Sequence, residues 1–288
     1  MCAELHSNAA RRNHGVPAGG GIRKGVTRML EGIRIGVLVS SKGNKLQAII
    51  DACETGRIKG RVVFVCSDNP DAQALTRARR HGIPCLLVDY GAIRQMHHQK
   101  PAALQLPSDC DFDDIMTKQR LYSPEEMTRE NLEFRMKTRV IAEAQMLREM
   151  AEYPFDLLVL AGFVRRLTPY FIERINRGAA IPRIMNLHPT LSPAFPGIDG
   201  YGQTLRYGCK VAGCTVHFVD YGVDSGPIID QEAFKIQPGD TVSTVKQKGL
   251  ELERELYPKC IRLYAEKRLS LGRSATGRLL VNILPGNA

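Results

Sequence analysis

The 288-residue sequence lacks long apolar runs and a secretory signal. No run reaches about 18 apolar residues, the length that a membrane-spanning helix needs, so we expect no membrane span and no membrane partner. The first 32 residues lack the apolar central block of a signal peptide and carry five arginines and lysines among Gly, Asn and Ala. We interpret residues 1–32 as a flexible basic extension.

The sequence also lacks pairs of cysteines at the short spacing of metal-binding or redox motifs. The eight cysteines include no Cys-x-x-Cys pair, and several stand inside apolar patterns. This usage is typical of reduced, buried thiols. We therefore expect a cytoplasmic protein.

The net charge of +10 does not by itself indicate nucleic acid, because basic residues are scattered among acidic ones along most of the chain. Neither the aromatic signatures of RNA-binding domains nor zinc-finger spacing accompanies them. We expect no nucleic acid partner, and we expect an anionic small molecule as the substrate.

From Ile33 onward, apolar segments of strand length alternate with segments of helical spacing. Strands are predicted at 33–40, 60–68, 84–90, 155–163 and 183–188, and helices at 46–56, 71–82 and 169–176. Unbroken apolar strands suit a sheet that helices cover on both faces. Residues 212–220 and 226–236 show alternation and predict a hairpin. The fold class is therefore α/β, with a doubly wound, mostly parallel, Rossmann-like sheet and an antiparallel edge hairpin.

Two further segments interrupt or follow this pattern. Residues 91–130 are rich in Pro, Gln and charge, and we interpret them as an insertion, partly disordered or a surface excursion. Ser123 and Pro124 are predicted to open a long helix that runs to about Glu152. A last helix is predicted over 241–268, and residues 269–288 are interpreted as a tail. These patterns predict one domain over residues 33–268, with the insertion inside it.

The loop "SSKGNK", residues 40–45, joins the first strand to the first helix. Free N–H groups at a helix start attract anions, and Gly43 allows a phosphate to approach the backbone. The loop is neither G-x-G-x-x-G nor a P-loop, so an ordinary strand-to-helix turn remains the alternative. Lys42 and Lys45 favour the phosphate site.

Asn186 and His188 stand two residues apart at the end of a predicted strand, so both side chains lie on one face of the sheet. Pro189 ends the strand. Ligands of open α/β sheets collect at the carboxyl ends of strands, which is where this pair lies. A structural histidine with a hydrogen-bonding partner is the alternative.

Asp224 lies on a loop between Gly222 and Gly226, where an aspartate commonly caps a turn. If the loop folds back over His188, the carboxylate orients the imidazole and raises its pKa. His188 and Asn186 are then two donors to one developing oxyanion. This arrangement suits acyl transfer without a nucleophilic Ser or Cys.

Four segments together resemble the folate-dependent glycinamide ribonucleotide formyltransferases: "VLVSSKGNKLQAIIDA", "LVLAGFVRRLTP", "IMNLHPTLSPAFPG" and "GCTVHFVDYGVDSGPIIDQ". The resemblance covers about residues 33–268 apart from the insertion. It implies the formyltransferase fold and transfer of a formyl group from 10-formyltetrahydrofolate to the amine of 5′-phosphoribosylglycinamide in purine synthesis. It also implies catalysis by Asn186, protonated His188 and Asp224, without a metal, in a monomer or homodimer.

The resemblance assigns further site residues by position. Lys42, Gly43, Asn44 and Lys45 are expected at the substrate phosphate, and Glu253 at the ribose. The residues expected at the folate are Arg139 (with Arg135 as the alternative register), Phe163, Val164, Arg165, Arg166, Leu167 and Val223. His217 faces the same region in the family, and a structural role in a buried strand is its alternative.

Some positions depart from the family pattern. Ser41, Asn44 and Lys45 replace Gly, Ser and Asn of the first loop. Arg166 stands where the family has an aliphatic residue, and Tyr201 replaces a histidine. These changes leave open a formyltransferase that acts on another phosphorylated amine, or a formyltetrahydrofolate hydrolase. A non-catalytic folate or nucleotide binder is disfavoured, because binding alone does not need Asn186, His188 and Asp224 together.

Overall fold

A computed structural model describes residues 32–286 except 124 and 126, so the predicted extension falls outside the described residues apart from Gly32. Seven strands form one sheet in the order β3-β2-β1-β4-β5-β6-β7, and two more form a separate antiparallel pair. The strands are β1 Ile33–Val39, β2 Gly60–Ser67, β3 Cys85–Leu87, β4 Leu157–Leu160, β5 Ile184–His188, β6 Val211–Phe218, β7 Ile228–Lys235, β8 Leu269–Arg273 and β9 Leu279–Ile283. Pairing is parallel from β3 through β5 and antiparallel from β5 to β7, which confirms the predicted fold class.

Helices cover both faces of this sheet. They are α1 Asn44–Glu54, α2 Gln73–Arg80, α3 Tyr90–Gln99, α4 Phe112–Lys118, α5 Arg129–Met150, α6 Pro169–Asn176, α7 Gly200–Arg206 and α8 Val242–Ala265, with a short 3₁₀ helix at Pro101–Ala103. Val37 packs in a core with α1, α2 and α8, whereas its neighbour Leu38 packs in a second core with α3, α5 and α6. Because both faces of β1 are covered, its apolar run is unbroken. Within the described part of the chain, no helix is long and apolar enough to cross a membrane.

The segment 91–130 is more ordered than its composition indicated. It contains α4 and most of α3, and Ile115 and Leu121 are buried with Leu132 and Met136 of α5 in a third core. The expectation of disorder or a surface excursion is wrong, because a few apolar residues spaced among the charges suffice to pack on α5. Helix α5 begins after Thr128, whose side chain accepts the Asn131 N–H, several residues later than predicted.

The segment 269–288 was expected to be a tail, but its described part forms the β8–β9 hairpin. Leu269 is buried against the core that contains α8. Helix α8 ends at Ala265, before the predicted position 268, and Lys267 then adopts a left-handed φ of 56°. Alternating apolar residues on both sides of a short turn explain the hairpin, and the sequence pattern contained that signal.

A buried carboxylate links α5 to the start of α6. Glu143 is fully buried and accepts hydrogen bonds from the backbone N–H and the hydroxyl of Thr168, which precedes α6. Burial raises the pKa of Glu143 to about 7, although the Thr168 hydrogen bonds and the Arg139 charge act in the opposite direction. Thr168 directly follows the segment 163–167, so this carboxylate supports a loop of the candidate site.

The raised pKa of Glu143 predicts a pH-dependent contribution to stability. The folded protein holds a proton on this group between the ordinary value of 4.5 and about 7, whereas the unfolded chain releases it. The contribution is therefore complete at low pH and is lost as the pH rises through this range. Relative to Glu143→Gln, the free energy of unfolding of the wild type should fall by about 3 kcal/mol between about pH 5 and pH 8.

Urea denaturation across this pH range measures the difference between the two proteins. Glu149→Gln, at an exposed position of the same helix, is the matched control. If the difference in free energy of unfolding between wild type and Glu143→Gln did not change with pH, the prediction would be contradicted.

Candidate active site

The candidate site begins at the carboxyl end of β5. Met185 and Leu187 are buried in the core beneath α1 and α8, so Asn186 and His188 point to the opposite face, as the strand parity predicted. Asn186 pairs with His217 of the antiparallel strand β6. Directly paired residues project to the same face, so three polar side chains meet at this edge of the sheet.

The loop after β6 brings Asp224 onto this pair. Asp224 Oδ2 lies 3.3 Å from His188 Nδ1, and Asp224 Oδ1 accepts a hydrogen bond from Asn186 Nδ2 at 3.2 Å. The Gly197 N–H donates to Oδ2 at 2.8 Å. Asp224 has a left-handed φ of 50°, which is uncommon outside glycine and is found at functional sites. Gly226 permits the return of the loop, since a Cβ there would lie 1.8 Å from the Phe218 carbonyl oxygen.

His188 faces an acceptor at each ring nitrogen. Its Nε2 lies 2.9 Å from the carbonyl oxygen of Phe195, and its Nδ1 faces Asp224. Burial lowers the pKa of His188 from its usual value, and the Asp224 charge and the Phe195 carbonyl offset only part of this effect. Asp224 thus acts to raise the pKa of the ring, as expected, but the net pKa is lowered because desolvation outweighs the carboxylate.

Asp224 itself is held ionised. Burial acts to raise its pKa, but contacts with His217, with His188 and with the Gly197 N–H together lower it. Its side chain is 14% exposed, so a charge persists in a mostly dry position. A charge of this kind acts strongly on neighbouring groups because little water screens it.

Asp224 fixes the orientation of the Asn186 amide, because its Oδ1 accepts a hydrogen bond from Asn186 Nδ2. His217 lies beside both groups. Its Nδ1 is 2.8 Å from the carbonyl oxygen of Phe218, and its Nε2 is 3.3 Å from Asn186 Nδ2 and 3.6 Å from Asp224 Oδ1. The amide nitrogen of Asn186 therefore points toward the site between His217 and Asp224.

These side chains line a cavity of about 290 Å³ at the carboxyl ends of β4 and β5. The predicted residues that line it are Lys45, Phe163, Val164, Arg165, Arg166, Leu167, Asn186, His188, His217, Val223 and Asp224. A larger cavity of about 730 Å³ lies at the opposite ends of the parallel strands, lined by Ile33, Asp156 and Arg183 among others. It lacks this convergence of polar groups, and the smaller cavity is therefore the candidate active site.

Arg166 and Arg165 direct their guanidinium groups toward protein partners. Arg166 Nη1 donates to the Leu121 carbonyl at 2.5 Å, and its guanidinium lies 5.2 Å from the Tyr122 ring centre. Residues of the segment 91–130 thus contact the guanidinium group of Arg166, the residue expected to be aliphatic in the family pattern. Arg165 Nε lies 2.5 Å from Asp68 Oδ2, after the end of β2. Sequence reasoning missed Asp68, although its place after a buried strand was a usable signal.

Arg139 does not line the main cavity. It donates to the Arg166 carbonyl at 2.8 Å and to the Tyr122 hydroxyl at 2.7 Å, so it supports the cavity wall from behind. Arg139 lines a smaller adjoining cavity together with Arg165. Tyr122 was missed because it lies in the insertion, where no pattern marked it.

Lys45 connects the cavity to a buried carboxylate. Lys45 Nζ lies 3.3 Å from Glu253 Oε2, and the Tyr201 hydroxyl donates to Glu253 Oε1 at 2.9 Å. Glu253 is 3% exposed. Two of the positions that depart from the family pattern, Lys45 and Tyr201, thus both contact the carboxylate expected at the ribose.

The first loop precedes α1 but, apart from Lys45, does not line the cavity. Gly43 has a φ of 78°, and a Cβ there would lie 2.8 Å from the Ala74 Cα, so glycine is required. Lys42 and Asn44 are exposed beside it, and Arg77 donates to the Lys42 carbonyl at 2.9 Å. Gly43 itself is buried, whereas the flanking Lys42 and Asn44 are exposed, and Lys42, Lys45 and Arg77 place cations around the start of α1.

Comparison with known proteins assigns this architecture to a family. The formyl transferase family model matches residues 33–261. Phosphoribosylglycinamide formyltransferase of Escherichia coli is 31% identical over 84% of this chain and 92% of its own length. The human trifunctional purine biosynthetic protein adenosine-3 is 29% identical over 84% of this chain, which spans only 19% of that protein. The crystal structure of glycinamide ribonucleotide transformylase 1 from Symbiobacterium toebii, 39% identical, covers 88% of this chain and 95% of its own, with a TM-score of 0.66. The chain belongs to the formyl transferase family, in the group of the phosphoribosylglycinamide formyltransferases.

Proposed function

We propose that this protein transfers the formyl group of 10-formyltetrahydrofolate to the amino group of 5′-phosphoribosylglycinamide, a step in purine synthesis. Family membership and the name of the Escherichia coli relative support this reaction. The observation that carries it is the convergence of Asn186, His188 and Asp224 on one wall of a cavity. Two donors and a carboxylate without an adjacent nucleophile suit direct acyl transfer.

The cavity walls fit the ring end of a folate. Phe163, Leu167 and Val223 supply apolar surface, and the strand-end groups supply the polar positions. The volume of about 290 Å³ is near the lower limit of ligand pockets, roughly 300–1,000 Å³. The cavity therefore holds the formyl-bearing part of the donor, and the glutamate end extends beyond it.

Asn186 and His188 would stabilise the tetrahedral intermediate. The formyl oxygen would take the place of the Phe195 carbonyl at His188 Nε2, and Asn186 would donate to the same oxygen. As the amine attacks, negative charge develops beside the ring and raises its proton affinity, opposing the effect of burial. Removing one such donor costs roughly 10²- to 10³-fold in rate in comparable sites.

Asp224 would hold the ring and help to relay one proton. The amine forms a bond to the formyl carbon, the carbon to N10 bond breaks, and one amine proton passes through water to N10. The products are the formamide and tetrahydrofolate, so atoms balance without an oxidant or a metal. Alignment of the amine and formyl group in the cavity can supply up to ~7–11 kcal/mol of the barrier reduction.

Lys45 and Glu253 would define the acceptor. Lys45 is a compact cation beside the start of α1, where a substrate phosphate would lie with Lys42, Gly43 and Asn44. Glu253 would accept hydrogen bonds from the ribose. Because Lys45 replaces the family asparagine, a different phosphorylated amine is the second candidate acceptor. Assays with a panel of phosphorylated amines, and with water as the only acceptor, distinguish these possibilities.

The first prediction from this proposal concerns turnover. Wild-type protein with 10-formyl-5,8-dideazafolate and glycinamide ribonucleotide should lose the formyl group from the donor, followed by absorbance. His188→Ala should lower kcat by about 10²- to 10³-fold, because one oxyanion donor is lost. His81→Ala, at an exposed histidine that pairs with Glu54 outside the cavity, should leave kcat unchanged. Turnover with water or with another amine only would exclude the proposed acceptor.

The second prediction concerns the charge of His188. Burial lowers its pKa, so NMR titration of its ring should give a midpoint below 6.5. Asp224→Asn removes the charge that partly offsets burial, and the midpoint should then fall further. A His188 midpoint above 6.5 in the wild type, or a rise in Asp224→Asn, would contradict this account.

The third prediction separates phosphate binding from catalysis. Lys45→Met should raise KM for the phosphorylated amine by roughly tenfold with a smaller change in kcat, because the phosphate keeps its charge through the reaction. The dephosphorylated amine is the control substrate, and its KM should be unaffected by Lys45→Met. An equal increase for both substrates would assign Lys45 to the support of Glu253 and not to the phosphate.

A further inference from the structure

A buried tyrosine lies behind the end of the candidate active site that Lys45 lines. Tyr201 is in the first turn of α7 and is 4% exposed. Its ring packs with Ala212 of β6 and Val245 of α8 in a fourth hydrophobic core, and its centre is 6.4 Å from that of the Phe234 ring. Tyr201 is not among the described residues that line the main cavity. Any effect of Tyr201 on a bound acceptor must therefore pass through other side chains.

Helix α8 makes room for this ring at Gly249. A Cβ at Gly249 would lie 2.0 Å from Tyr201 Cζ and 2.2 Å from the Tyr201 hydroxyl oxygen, so only glycine lets the ring approach the helix this closely. Glycine inside a helix weakens the helix relative to alanine, and here the close approach requires it. Glu253 follows one turn further along α8, on the same face of the helix. The hydroxyl is thus directed at the carboxylate by two fixed helices.

The Tyr201 hydroxyl occupies one oxygen of Glu253. It donates to Oε1 at 2.9 Å, and Glu253 is 3% exposed. The other oxygen, Oε2, has no hydrogen-bond partner within the described part of the chain and faces Lys45 Nζ at 3.3 Å. Because a carboxylate that is bound at one oxygen cannot rotate freely, the Tyr201 hydroxyl determines where Oε2 points. Oε2 is therefore a buried acceptor that is oriented toward the site and remains open to a ligand.

The Lys45 ammonium group depends on this carboxylate for its position. Its Nζ also lies 3.5 Å from the carbonyl oxygen of Leu187, the residue between Asn186 and His188. A lysine side chain has many rotamers in solution, and ordering it in one of them requires a compensating contact. The ion pair with Glu253 supplies that contact and places the charge in the cavity lining.

We propose that Tyr201 is a positioning residue for the acceptor: through Glu253, its hydroxyl fixes both Oε2 and the Lys45 ammonium group at the acceptor end of the cavity. The proposal rests on the proposed function. Contacts with the phosphate and the ribose do not change as the formyl group is transferred, because neither group takes part in the reaction. Loss of their position should therefore raise the KM for the acceptor more than it lowers kcat.

Tyr201→Phe tests this role, because it keeps the ring on Gly249 and removes only the hydroxyl. The KM for glycinamide ribonucleotide should rise roughly tenfold, the equivalent of one hydrogen bond to a charged group, while kcat changes by less than about twofold. The KM for 10-formyl-5,8-dideazafolate should stay at the wild-type value. Gly249→Ala should give the same pattern, because the added methyl group displaces the hydroxyl from Glu253.

Tyr257→Phe is the matched control. It also removes a buried tyrosine hydroxyl of α8, but that hydroxyl donates to two backbone carbonyls of the sheet and not to Glu253. The KM for glycinamide ribonucleotide in Tyr257→Phe should match that of the wild type.

NMR of the ligand-free protein follows Lys45 directly and needs no turnover. The signals of the Lys45 ε-methylene group are assigned by their absence in Lys45→Met. In Tyr201→Phe they should move toward those of an exposed lysine such as Lys42, and in Tyr257→Phe they should stay in place.

Three results would overturn the proposal. The first is a set of Lys45 signals that does not move in Tyr201→Phe. The second is an unchanged KM for glycinamide ribonucleotide in that variant. The third is an equal rise in the KM of both substrates, which would assign Tyr201 a purely structural role. Absence of turnover by the wild type would instead reject the proposed function, and the Lys45 signals would still decide whether Tyr201 positions this cation.

Discussion

The Asp224 carboxylate is the contact on which the site depends. It lies against His188 on one oxygen and Asn186 on the other, and so ties the loop after β6 to the carboxyl end of β5. Burial opposes the charge, but the surrounding donors outweigh that effect and keep the group ionised. Without this contact, the imidazole and the amide would be buried polar groups with no charge to orient them.

Two residues with left-handed backbone place acceptors on both sides of the His188 ring. Phe195, with a φ of 52°, presents its carbonyl to Nε2, and Asp224, with a φ of 50°, presents its carboxylate to Nδ1. Two acceptors favour a doubly protonated ring, whereas burial favours a neutral one. Burial prevails and lowers the pKa of the ring, and negative charge that develops on a nearby oxygen acts in the opposite direction and favours the protonated ring. Backbone strain of this kind is held in place by the surrounding fold.

Much of the fold and of the candidate site could be predicted from local sequence patterns. The shared face of Asn186 and His188 follows from strand parity alone, and the doubly wound sheet follows from unbroken apolar strands. The net pKa direction of His188 could not be predicted, because it depends on how much water the fold excludes. The insertion was misjudged because its composition is polar on average, while its packing depends on a few residues such as Ile115 and Leu121. The β8–β9 hairpin was missed although its alternation was present.

The segment 91–130 supports the walls of the candidate site. The Arg120 N–H donates to the Tyr221 carbonyl, and Val223 packs against the core that Ile115 and Leu121 build with α5. On the other wall, the Leu121 carbonyl accepts from Arg166. This one segment therefore contacts both the loop after β4 and the loop after β6, which form opposite walls of the cavity. A shift of that segment would move both walls together, so its apolar residues are constrained by the shape of the cavity as well as by the stability of the fold.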